Sequence, residues 1–229
     1  MENKAADIEV LSKRDLVIGT VIALVMGTAF TLLSSGLSLI VTFVPGIVFA
    51  WLTFVWLYST KTKLPNGSEF LPVFFAALAV QFIHFAEESA AGFRVNFALL
   101  YGGAPYSEDL FVTFNMIAYF MFTVTAILVF TRSLRFLLVP SLFFIVYGAV
   151  GNAVSHTWWS LYFRAYFPGL VTAQVYWLVG PLVLYRLVGR PKVVFAIIAL
   201  FSLVLIPLLT FFASAGAVSA FSTQSQYNH

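Results

Sequence analysis

The chain has 229 residues, 61% of them hydrophobic and only 9% charged, with 26 phenylalanines and a formal net charge of +3. A water-soluble domain carries about 25% charged residues, so this composition excludes a soluble globular enzyme. The lack of cysteine excludes disulfides and thiolate chemistry, and basic residues that punctuate apolar runs give no sign of a nucleic-acid partner.

Residues 1–15 form a mixed-charge segment, expected on the cytoplasmic side. The apolar run that follows is too long for the hydrophobic region of a cleavable signal peptide, so the first span is expected to be retained. A helix needs about 20 apolar residues to cross the hydrocarbon core, and residues 16–58 supply roughly twice that. A turn at Pro45-Gly46 leaves a second half too short to span. A turn at Ser34-Ser35-Gly36 leaves two workable helices, with Pro45 as a tolerated kink. Further spans are expected at residues 70–93, 110–131, 134–162, 169–187 and 193–217, joined by short polar connections. The expectation is an all-α bundle of seven transmembrane helices, one membrane domain over residues 16–217, followed by a flexible tail over residues 218–229.

Charge orients this bundle. Seven spans place Lys4, Lys13, Arg14, Lys61, Lys63, Arg132, Arg135, Arg186, Arg190 and Lys192 on one side, and Arg94 and Arg164 on the other. Lys/Arg bias marks the cytoplasmic side. The N-terminus is therefore expected inside and the C-terminus outside, in a plasma membrane.

Ionisable side chains inside a span are expensive and call for a reason. The third span carries Gln81, His84, Glu87 and Glu88. At about 100° per residue, Glu88 lies roughly 40° from His84 and Glu87 about 60° the other way, so all three leave one sector. The fifth span carries Asn152 and His156, four residues apart and so stacked on one face. Gly148 and Gly151 nearby are expected to admit a neighbouring helix. Asn115 and Gln174 fall at a similar depth on the fourth and sixth spans. Two adjacent carboxylates in a poorly hydrated place repel, so they need a shared proton, a cation or a metal ion. Two imidazoles and two carboxylates suit a divalent transition metal such as Zn, Fe or Mn.

His84-Phe85-Ala86-Glu87-Glu88 matches the motif that names the HXXEE family of bacterial integral membrane proteins. Asn152 and His156 resemble that family's second feature, an Asn and a His four apart on a later helix. The run Arg164-Ala165-Tyr166-Phe167-Pro168-Gly169-Leu170-Val171-Thr172 is similar to its Tyr-Ser-Pro-Gly stretch, with Phe167 in place of the Ser. The resemblance covers roughly residues 70–187. It implies a membrane-embedded site and an enzyme, and supplies no substrate.

Three functions follow as expectations. The leading one is an intramembrane, metal-dependent enzyme acting on a lipid-like substrate near the outer leaflet. Its metal ligands would be His84, Glu87, Glu88 and His156, with Glu87, Glu88 and Asn152 in catalytic roles and Asn115, Arg164 and Gln174 contacting substrate. A metal-free acid–base isomerase or cyclase would use the same His and carboxylates. A proton-coupled transporter would need them as a relay. Smaller readings accompany these. Arg94 is placed to neutralise a carboxylate, Trp158, Trp159 and Tyr162 read as an interfacial aromatic belt, and residues 101–109 read as a loop rather than a lid.

Overall fold

The structure is a computed structural model and describes residues 10–214. The tail expected over residues 218–229, and residues 1–9 of the N-terminal segment, lie outside the described residues.

Helix α1 (Lys13–Leu33) starts at a capping box, in which Ser12 Oγ accepts from the Asp15 amide and the Asp15 carboxylate accepts from the Ser12 amide. Helix α2 (Ser38–Ser59) follows a turn at residues 34–37 and carries Pro45 within it, as the sequence suggested. Helix α3 (Gly67–Ala90) is capped by Asn66, whose side chain accepts from the Ser68 amide. Gly92, at φ +78°, then turns the chain into the short helix α4 (Phe93–Leu100), which the sequence reading passed over. Ser107 caps α5 (Glu108–Arg132), with Glu108 and Asp109 in the first turn and Arg132 in the last, matching the helix dipole.

A 29-residue helical run, Arg135–Phe163, comes next. It passes from a 3₁₀ turn through α6 (Leu138–Phe143) and a π-helical stretch (Phe144–Gly151) into α7 (Asn152–Phe163). Most of it is buried, which makes it the central helix, wrapped by α1, α2, α3, α5, α9 and α10. The last elements are α8 (Leu170–Ala173), α9 (Tyr176–Val188) and α10 (Pro191–Phe211).

Six helices among the described residues are long and apolar enough to cross a membrane: α1, α2, α3, α5, the central run and α10. Their outward faces are oily, with Leu32 80%, Leu24 66%, Phe195 74% and Leu203 69% exposed. This is a membrane protein by length, composition and exposed surface. The expected continuous span over residues 169–187 is instead divided into α8 and the 13-residue α9. At Gln174 the side-chain amide donates to the Leu170 carbonyl (3.1 Å), an acceptor that a regular helix would give to a backbone amide. The amides of Gln174, Val175, Trp177 and Leu178 bond three residues back instead of four, so the helix tightens locally.

Successive connections fall at alternate ends of the bundle. At one end Arg135 reaches the Val10 carbonyl, Gly67 abuts Phe130, and Arg190 lies over the Trp56 ring. At the other, the 34–37 turn and the 101–106 connection are docked together. The Ser35 amide donates to Tyr106 Oη (2.8 Å), Ser35 Oγ donates to the Ala104 carbonyl (2.6 Å), and the Leu37 amide donates to the Tyr101 carbonyl (3.0 Å). Residues 101–106 are thus part of the scaffold. The close helix approaches follow expectation only in part. Gly148 meets Phe144 of its own helix, Gly151 meets Tyr147 of its own helix and Phe201 of α10, and Gly46 lies against Tyr147 and Gly180 against Val150, bringing α2 and α9 onto the π-helical stretch.

Gly36 has φ +59°, and a Cβ there would stand 2.4 Å from the Tyr101 carbonyl oxygen, which is backbone and cannot swing away. Gly102 has φ +72° but open space around it. Gly36→Ala is therefore expected to lower the unfolding midpoint in detergent by the equivalent of about 2–4 kcal/mol, and Gly102→Ala by about 1 kcal/mol. Equal losses in thermal melts would assign both effects to backbone conformation and refute the docking of the two loops.

Candidate functional site

Three polar residues recur along one face of α3, and all are buried: Gln81, His84 and Glu88, at 5%, 0% and 6% exposure. From α7 comes His156, at 0%. Because α7 is regular α-helix, Asn152 and His156 keep the one-face register read from sequence despite the π-helical stretch before them. Glu88 Oε1 lies 3.4 Å from His84 Nε2 and 3.3 Å from His156 Nε2. One ligand-type atom from each of the three residues lies within 4.8 Å of the others. Neither Nε2 contact meets the geometry of a hydrogen bond. His84 Nε2 and both nitrogens of His156 are buried without a hydrogen-bond partner.

The surroundings are aromatic. The two imidazoles meet edge to face with centroids 4.7 Å apart. Phe93, Trp159 and Phe167 pack on His156 at 5.3, 5.1 and 6.3 Å, and Tyr176 packs on His84 at 5.8 Å. Trp159 is buried, and its indole N–H donates to Tyr101 Oη (2.9 Å). It belongs to the wall of the site and not to an interfacial belt. The Trp158 indole N–H donates to Thr210 Oγ1 on α10 (3.0 Å).

The segment after α7 closes over this cluster. Gly169, at φ +91°, lies against both rings: a Cβ there would be 2.6 Å from His156 Cε1 and 2.9 Å from His84 Cε1. Only glycine combines that backbone conformation with so close an approach. The Pro168-Gly169 pair was visible in the sequence as a turn signal, but its place over the imidazoles was not.

Glu87 faces this segment instead of the cluster. Its Oε1 accepts from Tyr166 Oη (2.8 Å) and the Val171 amide (3.0 Å), and its Oε2 accepts from the Thr172 amide (2.8 Å) and the Thr172 hydroxyl. The expectation that grouped Glu87 with the metal ligands is therefore revised: four donors hold its carboxylate elsewhere. Burial, then the Glu87 carboxylate, push the Tyr166 phenol up to about 12, so it remains a donor throughout the neutral range. Thr172 Oγ1 also lies 2.8 Å from His84 Nδ1. Sequence reasoning gave Thr172 and Tyr166 no role, since a hydroxyl sixteen residues beyond His156 carries no spacing signal.

The remaining expected residues separate. Asn115 donates to the Phe111 carbonyl (2.9 Å) and accepts from Tyr119 Oη (3.1 Å). Tyr119 Oη in turn accepts from Gln81, which accepts from Tyr176 Oη (2.7 Å). Asn115 therefore belongs to a hydrogen-bonded network behind His84, through two tyrosines that sequence reasoning missed. Asn152 is buried one turn before His156 and makes no side-chain hydrogen bond among the described residues. Arg164 and Gln174 line a surface groove of about 490 Å³ with Thr157, Ser160, Tyr166 and Leu170. Arg94 donates to the Tyr106 carbonyl (2.9 Å) and braces the connection from α4 to α5. Another groove, about 440 Å³ at the opposite end, has no titratable side chain in its lining.

No protein-family model, curated protein or solved structure matches this chain. What the site can do is read from its own geometry. Two ligands each about 2.05 Å from a tetrahedral ion lie about 3.3 Å apart, and the two Glu88–imidazole separations have that length. A buried His–Glu–His group of this kind can hold a metal ion.

The carboxylate of Glu87 is the main anchor of residues 166–172. Hydrogen bonds to a charged group contribute about 1.5–3 kcal/mol each. Glu87→Ala is expected to speed amide exchange at Val171 and Thr172 roughly ten- to hundredfold in hydrogen–deuterium exchange mass spectrometry. Unchanged protection at both amides would refute the anchoring role.

Proposed function

We propose that this protein is a metal-dependent enzyme of a bacterial plasma membrane, acting on a lipid-like substrate near the outer leaflet. The observation that carries the reading is a single carboxylate oxygen standing at ligand–ligand distance from two buried imidazole nitrogens that have no hydrogen-bond partner. Each buried polar atom left unsatisfied costs about 1–3 kcal/mol, and a cation bound by His84, Glu88 and His156 would satisfy the two Nε2 atoms together. Three protein ligands with a further position open is the pattern of catalytic sites, and two imidazoles with one carboxylate suit Zn, Fe(II) or Mn. Such an ion, when bound, supplies polarisation of a substrate oxygen or activation of water.

The chain's own residues fill the other roles. Phe93, Trp159, Phe167 and Gly169 exclude bulk water from the imidazoles, which strengthens every charge interaction among them. Arg164 and Gln174 offer hydrogen-bond donors to a polar headgroup in the groove beside the 166–172 segment. An apolar substrate enters sideways from the bilayer, since the helices leave little extramembrane mass to form an aqueous cleft. The likeness of residues 84–88, 152–156 and 164–172 to the HXXEE family agrees with an embedded site of this kind.

For the topology we take seven spans, N-terminus inside. In support, α8 and α9 form one nearly continuous helical path of 19 residues, about 28 Å at 1.5 Å per residue. The connections that carry most of the basic residues gather at the end opposite the site, as cytoplasmic loops do.

Two experiments test these readings. Protein purified in mild detergent is expected to hold about one equivalent of transition metal per chain by elemental mass spectrometry. His84→Ala, Glu88→Gln and His156→Ala are each expected to lose it, together with any product formed from membrane lipid extracts. Wild-type protein that stays metal-free after loading with Zn, Fe(II) and Mn(II) in turn would overturn the metal site. Because the chain has no cysteine, single cysteines report topology cleanly: Ala104→Cys is expected to react with an impermeant maleimide in intact cells, and Lys61→Cys only after lysis. The reverse pattern inverts the orientation.

A further inference from the structure

We infer that Thr172 is a positioning residue for His84: its hydroxyl links Glu87 to Nδ1 of His84 and fixes the tautomer whose Nε2 lone pair faces Glu88 and His156. The inference deepens the metal-site reading above and rests on it for its consequence, though not for its geometry.

A threonine hydroxyl has one proton and two lone pairs, and an ionised carboxylate only accepts. Thr172 Oγ1 makes a short contact with Glu87 Oε2 and lies 2.8 Å from His84 Nδ1. Three other donors surround the same carboxylate: the amides of Val171 and Thr172 and the hydroxyl of Tyr166. That environment calls for an anionic acceptor, so the hydroxyl proton points to Glu87. If it pointed to His84 instead, two oxygens carrying only lone pairs would face each other across the shortest contact of the group. The hydroxyl is therefore the acceptor toward His84, and Nδ1 carries the hydrogen. In a neutral imidazole the other nitrogen is then an unprotonated lone pair. That nitrogen, Nε2, is the one 3.4 Å from Glu88 Oε1 and without a hydrogen-bond partner.

A proton on Nε2 would instead occupy the nitrogen that faces Glu88 and would close the cluster to a cation. The Glu87–Thr172 pair holds the ring against that tautomer. It acts as the carboxylates and carbonyls behind metal-bound histidines do, with a hydroxyl interposed. This gives the two adjacent carboxylates separate work. Glu88 turns toward the imidazoles, and Glu87, about 100° around the helix, turns toward the segment that carries Thr172. It also couples the cover to the site, because the residue that fixes His84 lies three positions after Gly169, whose backbone packs on both rings.

The test uses full-length protein in detergent, with Zn²⁺ alone as the metal probe. Nitrogen-15 spectra of the metal-free wild type, recorded at about pH 8, read the imidazole tautomers directly, and only three histidines need assignment. The expected result is His84 protonated at Nδ1; protonation at Nε2 overturns the inference, and this reading needs no variant to fold. Chelator-competition titrations then compare Thr172→Val with Thr172→Ser. Loss of the hydroxyl is expected to weaken Zn²⁺ binding roughly ten- to hundredfold, while serine restores it to within about threefold. Equal affinities for the two variants also overturn the inference. A wild type that shows the Nδ1–H tautomer yet takes up no Zn²⁺ defeats the metal reading and leaves the relay standing.

Discussion

The site depends on a carboxylate placed between two imidazoles where water does not reach. In water, Glu88 and the two histidines would each be solvated separately, and no geometry would bind them together. Inside a bundle whose walls are phenylalanine, tryptophan and leucine, an unpaired charge or an unsatisfied nitrogen is costly. Glu88, His84 and His156 can therefore sit at 0–6% exposure only if they compensate one another or share a guest. The 3.3 and 3.4 Å separations are the geometric trace of that constraint.

Much of the remaining architecture serves to hold this arrangement. The central helix delivers His156 from a fully packed position, and its π-helical stretch meets α2 and α9 across Gly46 and Gly180. π-helical segments inside α-helices recur at functional sites, and here one ends on the residue before Asn152. Behind His84 the side chains of Gln81, Tyr119, Tyr176 and Asn115 satisfy one another in sequence. The α3 face that carries the site is thereby fixed by hydrogen bonds on both flanks, by this network on one and by Thr172 on the other.

The 164–174 segment has two faces with different chemistry. Its inner face presents Gly169 and Thr172 to the imidazoles, and its outer face, with Arg164, Tyr166, Leu170 and Gln174, borders an open groove. Glu87 anchors it through a single side chain. The His–Glu–His cluster, its cover and the groove are thus separated by the thickness of one chain segment, and a ligand in the groove would bear on the same segment that touches His84 and His156.

The periodicity of α3 and α7 placed His84, Glu88, Asn152 and His156 on inward faces from the sequence alone, because within one regular helix angular position follows directly from spacing. The same holds for the turn at residues 34–36, where a run twice the span length had to break at its small polar residues. The exclusion of an aqueous fold followed from composition, since so few charged residues cannot coat a water-soluble surface. Tertiary structure alone decided that Glu87 turns away from Glu88, that Asn115 serves a tyrosine network, that Trp159 is buried, and that α4 and Gly169 close the site. It also divided the helix at Gln174, whose side chain takes a carbonyl from the backbone. Each of these depends on a partner remote in the chain, and helical spacing encodes direction around an axis but not what waits there.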